Sequence, residues 1–322
     1  MNAAVSRLLH RRESGTLAAL LLLSLALWAA TPHFATVDNL VNVLDQSATV
    51  GVLAVGMTFV IIIGGIDLSV GSLIALTGIA FGAAVRAGLP AALAVAAGVA
   101  VGAGAGLANG LLVTAGRLPP FIATLGTMSV ARGAALMLTD GRPISGFPPP
   151  VRAIAHGAPL GIPAPVLLML AVVAAAHVAL TRTVLGRYVY AVGGNEVAAA
   201  LSGVNVPGWK LAVYVLSGVA SALAAILLVA RLDSAQPVAG IGYELDAIAA
   251  VVIGGASLLG GSGTVLGTLV GALLMTVLRN GLNLLSVSSY VQQVAIGLVI
   301  IAAVLIDMTL RRRSERTRAR HV

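Results

Sequence analysis

The sequence predicts an all-α polytopic membrane protein with about ten transmembrane helices. Of its 322 residues, 59% are hydrophobic and only 9% are charged, whereas soluble domains carry about 25% charged residues. The mean hydropathy of +1.03 would leave far too much apolar surface exposed in water. The net charge of +8 comes almost entirely from arginines beside apolar segments, which favours a topology signal and excludes a nucleic-acid partner. The chain has no cysteine, and we expect no metal site.

Ten apolar segments follow one another along the chain. They cover residues 16–35, 47–63, 68–85, 90–113, 121–138, 164–181, 211–230, 244–257, 263–279 and 290–308. The first follows a basic start, as in a signal peptide, but its length of about 20 residues and the spans after it indicate a retained helix. The eighth is too short to span a bilayer alone, so we expect a broken or re-entrant helix there.

The arginines predict that both termini are cytoplasmic. This orientation places most of the 19 Lys and Arg residues on the cytoplasmic side, as the positive-inside rule requires, and makes the number of crossings even. We therefore expect a cytoplasmic N-terminus at 1–15, one membrane domain at 16–308 with a cytoplasmic loop at 182–210, and a basic cytoplasmic tail at 309–322. The external loop at 139–163 is rich in Pro and Gly, which favours an irregular cap rather than a helix.

The stretch GGIDLSVGS, residues 64–72, interrupts the apolar pattern. Its two leading glycines permit a turn, after which Asp67 can cap the next helix and Ser69 can add a second acceptor. A charge at membrane depth costs about 2.5–3.5 kcal/mol. Direct contact between Asp67 and a solute is therefore the alternative to the capping role, and the two are compatible.

A second stretch is similar to the first. IGGIDLSVGS at 63–72 and IGGASLLGGS at 253–262 share six of ten positions. Glycine-interrupted helices in internal repeats lie near the binding sites of many transporters, although a chance match in a Gly-rich chain is the alternative. We predict a helix break in the translocation core, made by Gly64, Gly65, Asp67, Ser69, Gly71, Ser72, Gly254 and Gly255.

The loop at 182–210 contains the signals of a short capped helix. Asn195 is a suitable N-cap, and Glu196 follows in the first turn, where the helix dipole favours an acidic residue. A helix of about eight residues then ends at Gly203. A capped helix between two spans has little use in a permeation path, so we expect it to insert into a partner.

Four motifs resemble one family. GMTFVIIIGGIDLSVGSLIALTG, PPFIATLGTMSVARGAALMLTDGRPI, GRYVYAVGGNEVAAALSGV and GYELDAIAAVVIGGASLLGG resemble the ribose-type branch of permease subunits of ATP-binding cassette (ABC) importers, over about residues 45–307. Glu196, Ala198, Ala199 and Gly203 resemble the Glu-Ala-Ala…Gly cytoplasmic loop of these subunits, with the first Ala displaced by one. The resemblance implies that the helix at Asn195–Gly203 docks on the ATPase and transmits nucleotide-driven closure.

The resemblance also implies partners and a cargo. It implies cytoplasmic ABC ATPase subunits, a periplasmic sugar-binding protein, a second permease copy or paralogue in a homo- or heterodimer, and a multi-pass location in the bacterial inner membrane. The chain has no phosphate-binding loop, so we expect no enzymatic activity and no cofactor here, with ATP and Mg²⁺ bound by the partner ATPase. The expected cargo is a monosaccharide such as ribose or xylose.

Two other functions compete with this interpretation. One is a branched-chain amino-acid ABC permease, and the other is an ion-coupled secondary carrier. Such a carrier would need acidic residues in the middle of its helices, and only Asp67 approaches this requirement.

Other polar residues in the apolar segments have two explanations each. Arg132 can extend towards the membrane surface or line an outward cavity. Asn109 and Asn280 are candidate pathway-lining residues because an amide can hydrogen-bond a sugar hydroxyl, but interhelical hydrogen bonds explain them equally well. Glu244 and Asp246 are expected in the first turn of the eighth segment, where the helix dipole favours acidic side chains.

Overall fold

The protein is all-helical apart from one short strand pairing in the part of the chain described by the structure. The structure, a computed structural model, describes residues 12–319. Its helices are α1 (Arg12–Ala30), α2 (Val37–Ile62), α3 (Val70–Arg86), α4 (Ala91–Thr114), α5 (Pro120–Met137), α6 (Pro149–His156), α7 (Ala164–Arg182), α8 (Val184–Gly194), α9 (Glu196–Leu201), α10 (Val206–Leu232), α11 (Tyr243–Ile253), α12 (Val265–Leu284) and α13 (Ser289–Ala319). A 3-10 turn spans Pro159–Gly161, and β1 (Ile144–Ser145) pairs antiparallel with β2 (Ser234–Ala235).

Each of the ten predicted apolar segments coincides with a helix. Five of them, α2, α4, α7, α10 and α12, are long and apolar enough to cross a membrane, and Ser14–Ala30, α3 and Ser289–Leu305 are shorter apolar helical stretches. α2 begins ten residues before the predicted segment because Thr36 caps it, accepting a hydrogen bond from the Asn39 N–H at 3.3 Å. α11 has 11 residues, about 16 Å of helix at 1.5 Å per residue and half a bilayer, so the predicted short eighth helix is present.

The central helix of the bundle is α10, which packs most extensively on α4, α2 and α3. Its crossing with α4 is close because two glycines face each other. A Cβ added to Gly102 would overlap the carbonyl oxygen of Gly218, and a Cβ on Gly218 would overlap that of Gly102. Small residues allow this approach in membrane bundles. The largest group of buried apolar side chains lies along α2 and α10 and includes Met57 and Val213.

Two loops contain more helix than the sequence predicts. The expectation of an irregular cap at 139–163 is wrong, because α6 lies within it and buries Val151 and Ala155. Two of the prolines that argued for a loop, Pro149 and Pro150, occupy the first turn of α6, a position where proline is favoured. The loop at 182–210 contains α8 in addition to the predicted short helix.

The turns after α2 and α11 meet, since Gly261, in the turn after α11, donates to Ile62 at the end of α2. Both lie at the same end of the bundle as α8 and α9, because Gly193 near the end of α8 packs against Ile62 and Gly261. We call this the α9 end. α10 runs about 40 Å from it and leads into β2 at the opposite end. Of the predicted cytoplasmic termini, residues 1–11 and 320–322 lie outside the described residues. α13 continues through residues 309–319, beyond the predicted end of the last span.

Candidate coupling and translocation site

The short helix α9 is capped as the sequence predicts. The side chain of Asn195, whose backbone is extended, accepts a hydrogen bond from the Ala198 N–H at 2.9 Å. The helix is six residues long and ends at Leu201, slightly earlier than expected. Gly203 follows with a φ of 83°, the left-handed conformation in which glycine commonly ends helices.

One face of α9 is apolar and exposed. Val197 and Leu201 are 70% and 85% exposed, and residues four apart lie on the same face of a helix. The opposite face is anchored, because Ala199 is buried and both carboxylate oxygens of Glu196 lie 2.7 Å from Lys210 Nζ on α10. α9 therefore presents two large apolar side chains outward from a position fixed against the bundle.

Backbone contacts join the end of α8, directly before α9, to both helix breaks. A Cβ added to Gly193, near the end of α8, would overlap the carbonyl oxygen of Ile62, and that same oxygen accepts a hydrogen bond from the Gly261 N–H at 2.8 Å. A Cβ added to Gly260 would lie 2.7 Å from the Gly193 carbonyl oxygen and 3.1 Å from Gly64 Cα. We call this contact of Ile62, Gly64, Gly193, Gly260 and Gly261 the glycine junction. It places the segment before α9 directly against the turns that follow α2 and α11.

Asp67 organises the first break and is fully buried. Its Oδ1 accepts hydrogen bonds from the Ser69 N–H at 3.0 Å and the Ser69 hydroxyl at 2.5 Å, and its Oδ2 accepts one from the Ser217 hydroxyl on α10 at 2.8 Å. Asn109 on α4 donates to Ser69 Oγ at 2.9 Å. Asp67 thus accepts a hydrogen bond from the Ser69 N–H, as a helix cap does. The regular helix begins one residue after Ser69, at Val70.

The expected role of Ser69 is wrong. Its hydroxyl donates to Asp67 and accepts from the Asn109 amide, and it makes no capping hydrogen bond with a backbone N–H of the first turn. The carboxylate therefore connects the start of α3 to α4 and α10 through two serines and an amide.

The second break repeats the turn of the first. Ser257, which aligns with Asp67, accepts a hydrogen bond from the Leu259 N–H at 3.1 Å, and this N–H belongs to the residue aligned with Ser69. Each break also has one left-handed glycine, but not at aligned positions: Gly64 has a φ of 88° in the first break, whereas in the second it is Gly255, which aligns with Gly65, that has a φ of 93°. The similarity of the two stretches thus extends to the position of the accepting side chain, while the left-handed glycine is shifted by one residue.

The remaining predicted small residues of the breaks permit close packing. A Cβ added to Gly65 would lie 2.6 Å from the Tyr214 hydroxyl, and one on Gly254 would overlap the backbone of α12. A Cβ on Gly71 would overlap the carboxylate of Glu244. Ser72, one residue later, is 3% exposed and borders a pocket beside α5.

The three candidate pathway residues have different surroundings. Arg132 Nη1 donates to the carbonyl oxygens of Pro237 at 3.0 Å and Ala239 at 2.7 Å, in the segment before α11. Asn109 is fully buried at the first break. Asn280 exchanges hydrogen bonds with Asn39 on α2, at 2.8 and 3.1 Å. The two asparagines therefore make interhelical contacts, and Arg132 borders a pocket.

The sequence gives no sign of two buried polar contacts. Ser217 carries no motif, yet it binds Asp67 across 150 residues. Asp246 lies in the first turn of α11 as expected, is 3% exposed, and pairs with Arg279 on α12 at 2.7 Å. Among the described residues, no group of three or more His, Asp and Glu side chains is arranged to hold a metal ion.

Comparison with known proteins assigns a family to this arrangement. The model of the family described as "Branched-chain amino acid transport system / permease component" matches residues 39–304. The chain is 50% identical to the ribose import permease protein RbsC of Escherichia coli (strain K12) over 299 residues, covering 92% of this chain and 93% of that protein.

Other relatives agree with this assignment. The chain is 48% identical to the ribose import permease protein RbsC of Haemophilus influenzae, again with 92% and 93% of the two chains covered. It is 38% identical to the D-allose transport system permease protein AlsC of Escherichia coli, with 85% of each covered. No solved structure matches the chain. The chain belongs to the branched-chain amino acid transport system permease component family, a family of multi-pass membrane permeases.

Proposed function

We propose that this chain is the transmembrane permease subunit of an ABC importer for a monosaccharide such as ribose. In this proposal a periplasmic binding protein delivers the sugar, and a separate subunit hydrolyses ATP. The observation that carries the proposal is the identity of 48–50% to proteins named ribose import permeases, which extends over 92% of the chain. The family description favours a second candidate, a permease for branched-chain amino acids.

The proposed topology has ten membrane-embedded helices, α1–α5, α7 and α10–α13, with α11 as the short broken one. Both termini and the α9 end then face the cytoplasm of a cell whose inner membrane holds the protein. Support comes from the basic residues of the loops at this end, which include Arg117, Arg182, Arg187 and Lys210, as the positive-inside rule requires.

The proposed coupling element is α9. Its exposed Val197 and Leu201 would enter an apolar groove on the cytoplasmic ATPase, where their burial would stabilise the contact by about 1.5–3 kcal/mol for each side chain. The pair between Glu196 and Lys210 holds α9 against α10, so that a displacement of α9 by the ATPase is passed to the bundle. ATP and Mg²⁺ would be bound only by the ATPase subunits.

The proposed route of coupling continues through the glycine junction. Backbones meet there without intervening side chains, and close-packed contacts transmit displacement because they leave little free space. A shift of Gly193 would therefore move Ile62 and Gly261 together, and with them the ends of α2 and α11. The alternating opening of the pathway would result from this movement, with a second permease copy or a paralogue supplying the other half of the pathway.

Uptake into proteoliposomes tests the proposal. The chain would be reconstituted with its ATPase and binding protein, and uptake of radiolabelled D-ribose and L-leucine would be measured with ATP or with an ion gradient alone. We expect ATP-dependent ribose uptake that stops when either partner is omitted. Leucine uptake in place of ribose uptake would support the amino-acid permease, and gradient-driven uptake without partners would overturn the ABC assignment.

A further inference from the structure

A pocket of about 460 Å³, with a mostly apolar lining and a few polar groups, lies beside α5, between α3 and the first turn of α11. Two charged side chains, Arg132 and Glu244, and two hydroxyls, those of Ser72 and Ser129, line it together with the apolar side chains of Met128 and Leu136. Arg132 lies 12 residues into α5, about 18 Å along the helix. Five residues of α5 follow Arg132, so the pocket lies along the second half of α5, away from the α9 end.

The two charged groups are held in place by backbone contacts. Arg132 binds two carbonyl oxygens of the segment before α11 through Nη1, and a guanidinium has further N–H donors on its other nitrogens. Glu244 Oε1 accepts from the Gly242 N–H at 3.3 Å. The absence of a side chain at Gly71 makes room for this carboxylate, because a Cβ there would overlap Glu244 Oε2. The break motif therefore has a second consequence, since its Gly71 leaves space for an acidic group in this pocket.

The chemistry of the lining favours a neutral polyhydroxylated ligand. One arginine and one glutamate balance each other, so the pocket selects neither an anion nor a cation. An arginine donates hydrogen bonds and a carboxylate accepts them, while each serine hydroxyl can do both. Met128 and Leu136 offer an apolar wall to the C–H face of a sugar ring. Ligand sites commonly combine an apolar lining with a few polar groups, and their volumes begin at about 300 Å³.

We infer that Ser129, Arg132 and Glu244, with Ser72 behind them, form a subsite that binds the hydroxyl groups of a monosaccharide during translocation. This inference rests on the proposed function, because the choice of a sugar over a zwitterionic amino acid of similar size follows from the proposed cargo. Arg132 would donate to ring or hydroxyl oxygens, and Glu244 would accept from hydroxyls. The subsite belongs to the permease itself and is separate from the site of the delivering protein.

Cysteine labelling tests the subsite directly, since the chain has no cysteine of its own. Ser129→Cys would be labelled with a biotinylated methanethiosulfonate reagent in the reconstituted complex, with and without D-ribose, and biotin would be measured on this chain. Val130→Cys is the matched control, because Val130 is 71% exposed and adjacent on the same helix but is turned by about 100°. Ribose at about ten times its Kd should slow labelling of Ser129→Cys about tenfold and leave Val130→Cys unaffected.

The remaining outcomes distinguish a failure of the proposed subsite from a failure of the proposed function. Equal labelling of Ser129→Cys with and without ribose, or no labelling at all, would overturn the subsite even where ATP-dependent ribose uptake is normal. Protection by L-leucine but not by ribose would also overturn it, and would favour the amino-acid permease. Glu244→Gln provides a second measurement. We expect ribose uptake to fall about tenfold while the loaded binding protein still stimulates the ATPase, and unchanged uptake would contradict the assignment of Glu244.

Discussion

The glycine junction makes a prediction about two adjacent residues. A Cβ added at Gly193 would overlap the Ile62 carbonyl oxygen and lie 2.7 Å from the Gly261 nitrogen, whereas a Cβ added at Gly194 meets no atom within 4 Å. The obstructing atoms belong to the backbone, so no side-chain rotation relieves the overlap. Gly193→Ala must therefore separate the α8 backbone from the ends of α2 and α11, and Gly194→Ala is a matched control with the same chemical change.

The expected size of the effect follows from overpacking. Extra methyl groups in a well-packed site cost about 1–3 kcal/mol, which is roughly a 5- to 150-fold change in an equilibrium constant. We expect Gly193→Ala to lower ATP-dependent ribose uptake by about this factor. Stimulation of the ATPase by the loaded binding protein should fall much less, because the exposed face of α9 is unchanged. Uptake, ATPase activity and thermal unfolding would be measured for both variants in the same reconstituted complex.

Two results would refute this reasoning. Equal uptake by Gly193→Ala and Gly194→Ala would show that the junction does not carry coupling. A large loss of thermal stability in Gly193→Ala, with uptake and ATPase activity lost in equal proportion, would show that the contact serves folding alone.

Three further predictions concern charged groups. Glu196→Arg should place a second positive charge beside Lys210, next to α9. We therefore expect sugar uptake to be uncoupled from ATP hydrolysis, with normal membrane insertion. Unchanged ATP-dependent uptake would count against docking through α9. Asp67→Ala should lower the free energy of unfolding by about 1–3 kcal/mol for each serine hydroxyl that loses its buried acceptor. A thermal melt in detergent that matches that of the unmodified protein would contradict the stabilising role of these hydrogen bonds. Arg279→Ala should cost about 3–5 kcal/mol because it leaves the carboxylate of Asp246 buried without a partner. The double variant that also carries Asp246→Ala should recover part of that loss, and simple additivity in the melts would rule out direct coupling.

Local features of the site are predictable from the sequence. The cap of α9 is an example, because Asn195 and the N–H that it binds are three residues apart. The first break is another, since two glycines and an acidic residue in an apolar run have few structural explanations. The helices follow from hydropathy, because each apolar segment must satisfy its backbone hydrogen bonds internally in a membrane.

Contacts between distant segments are not predictable in this way. Ser217 is one of several serines on apolar helices, and only the packing of α10 on the break selects it as the partner of Asp67. The same holds for the junction between Gly193 and Gly261, because a glycine in a glycine-rich chain gives no sign of its neighbour. α6 was missed for a different reason, since proline both begins helices and interrupts them.

The central claim is that α9 transmits the action of an ATPase to the membrane bundle. Crosslinking tests it most directly. A benzophenone attached to Leu201→Cys would be photoactivated in the assembled complex, with Ala153→Cys on α6, at the opposite end of the bundle, as the matched exposed control. We predict that Leu201→Cys crosslinks to the ATPase subunit, with a yield that changes between nucleotide-free and ATP-bound complexes, and that Ala153→Cys does not. A crosslink from Ala153→Cys to the ATPase, or none from Leu201→Cys, would contradict the account.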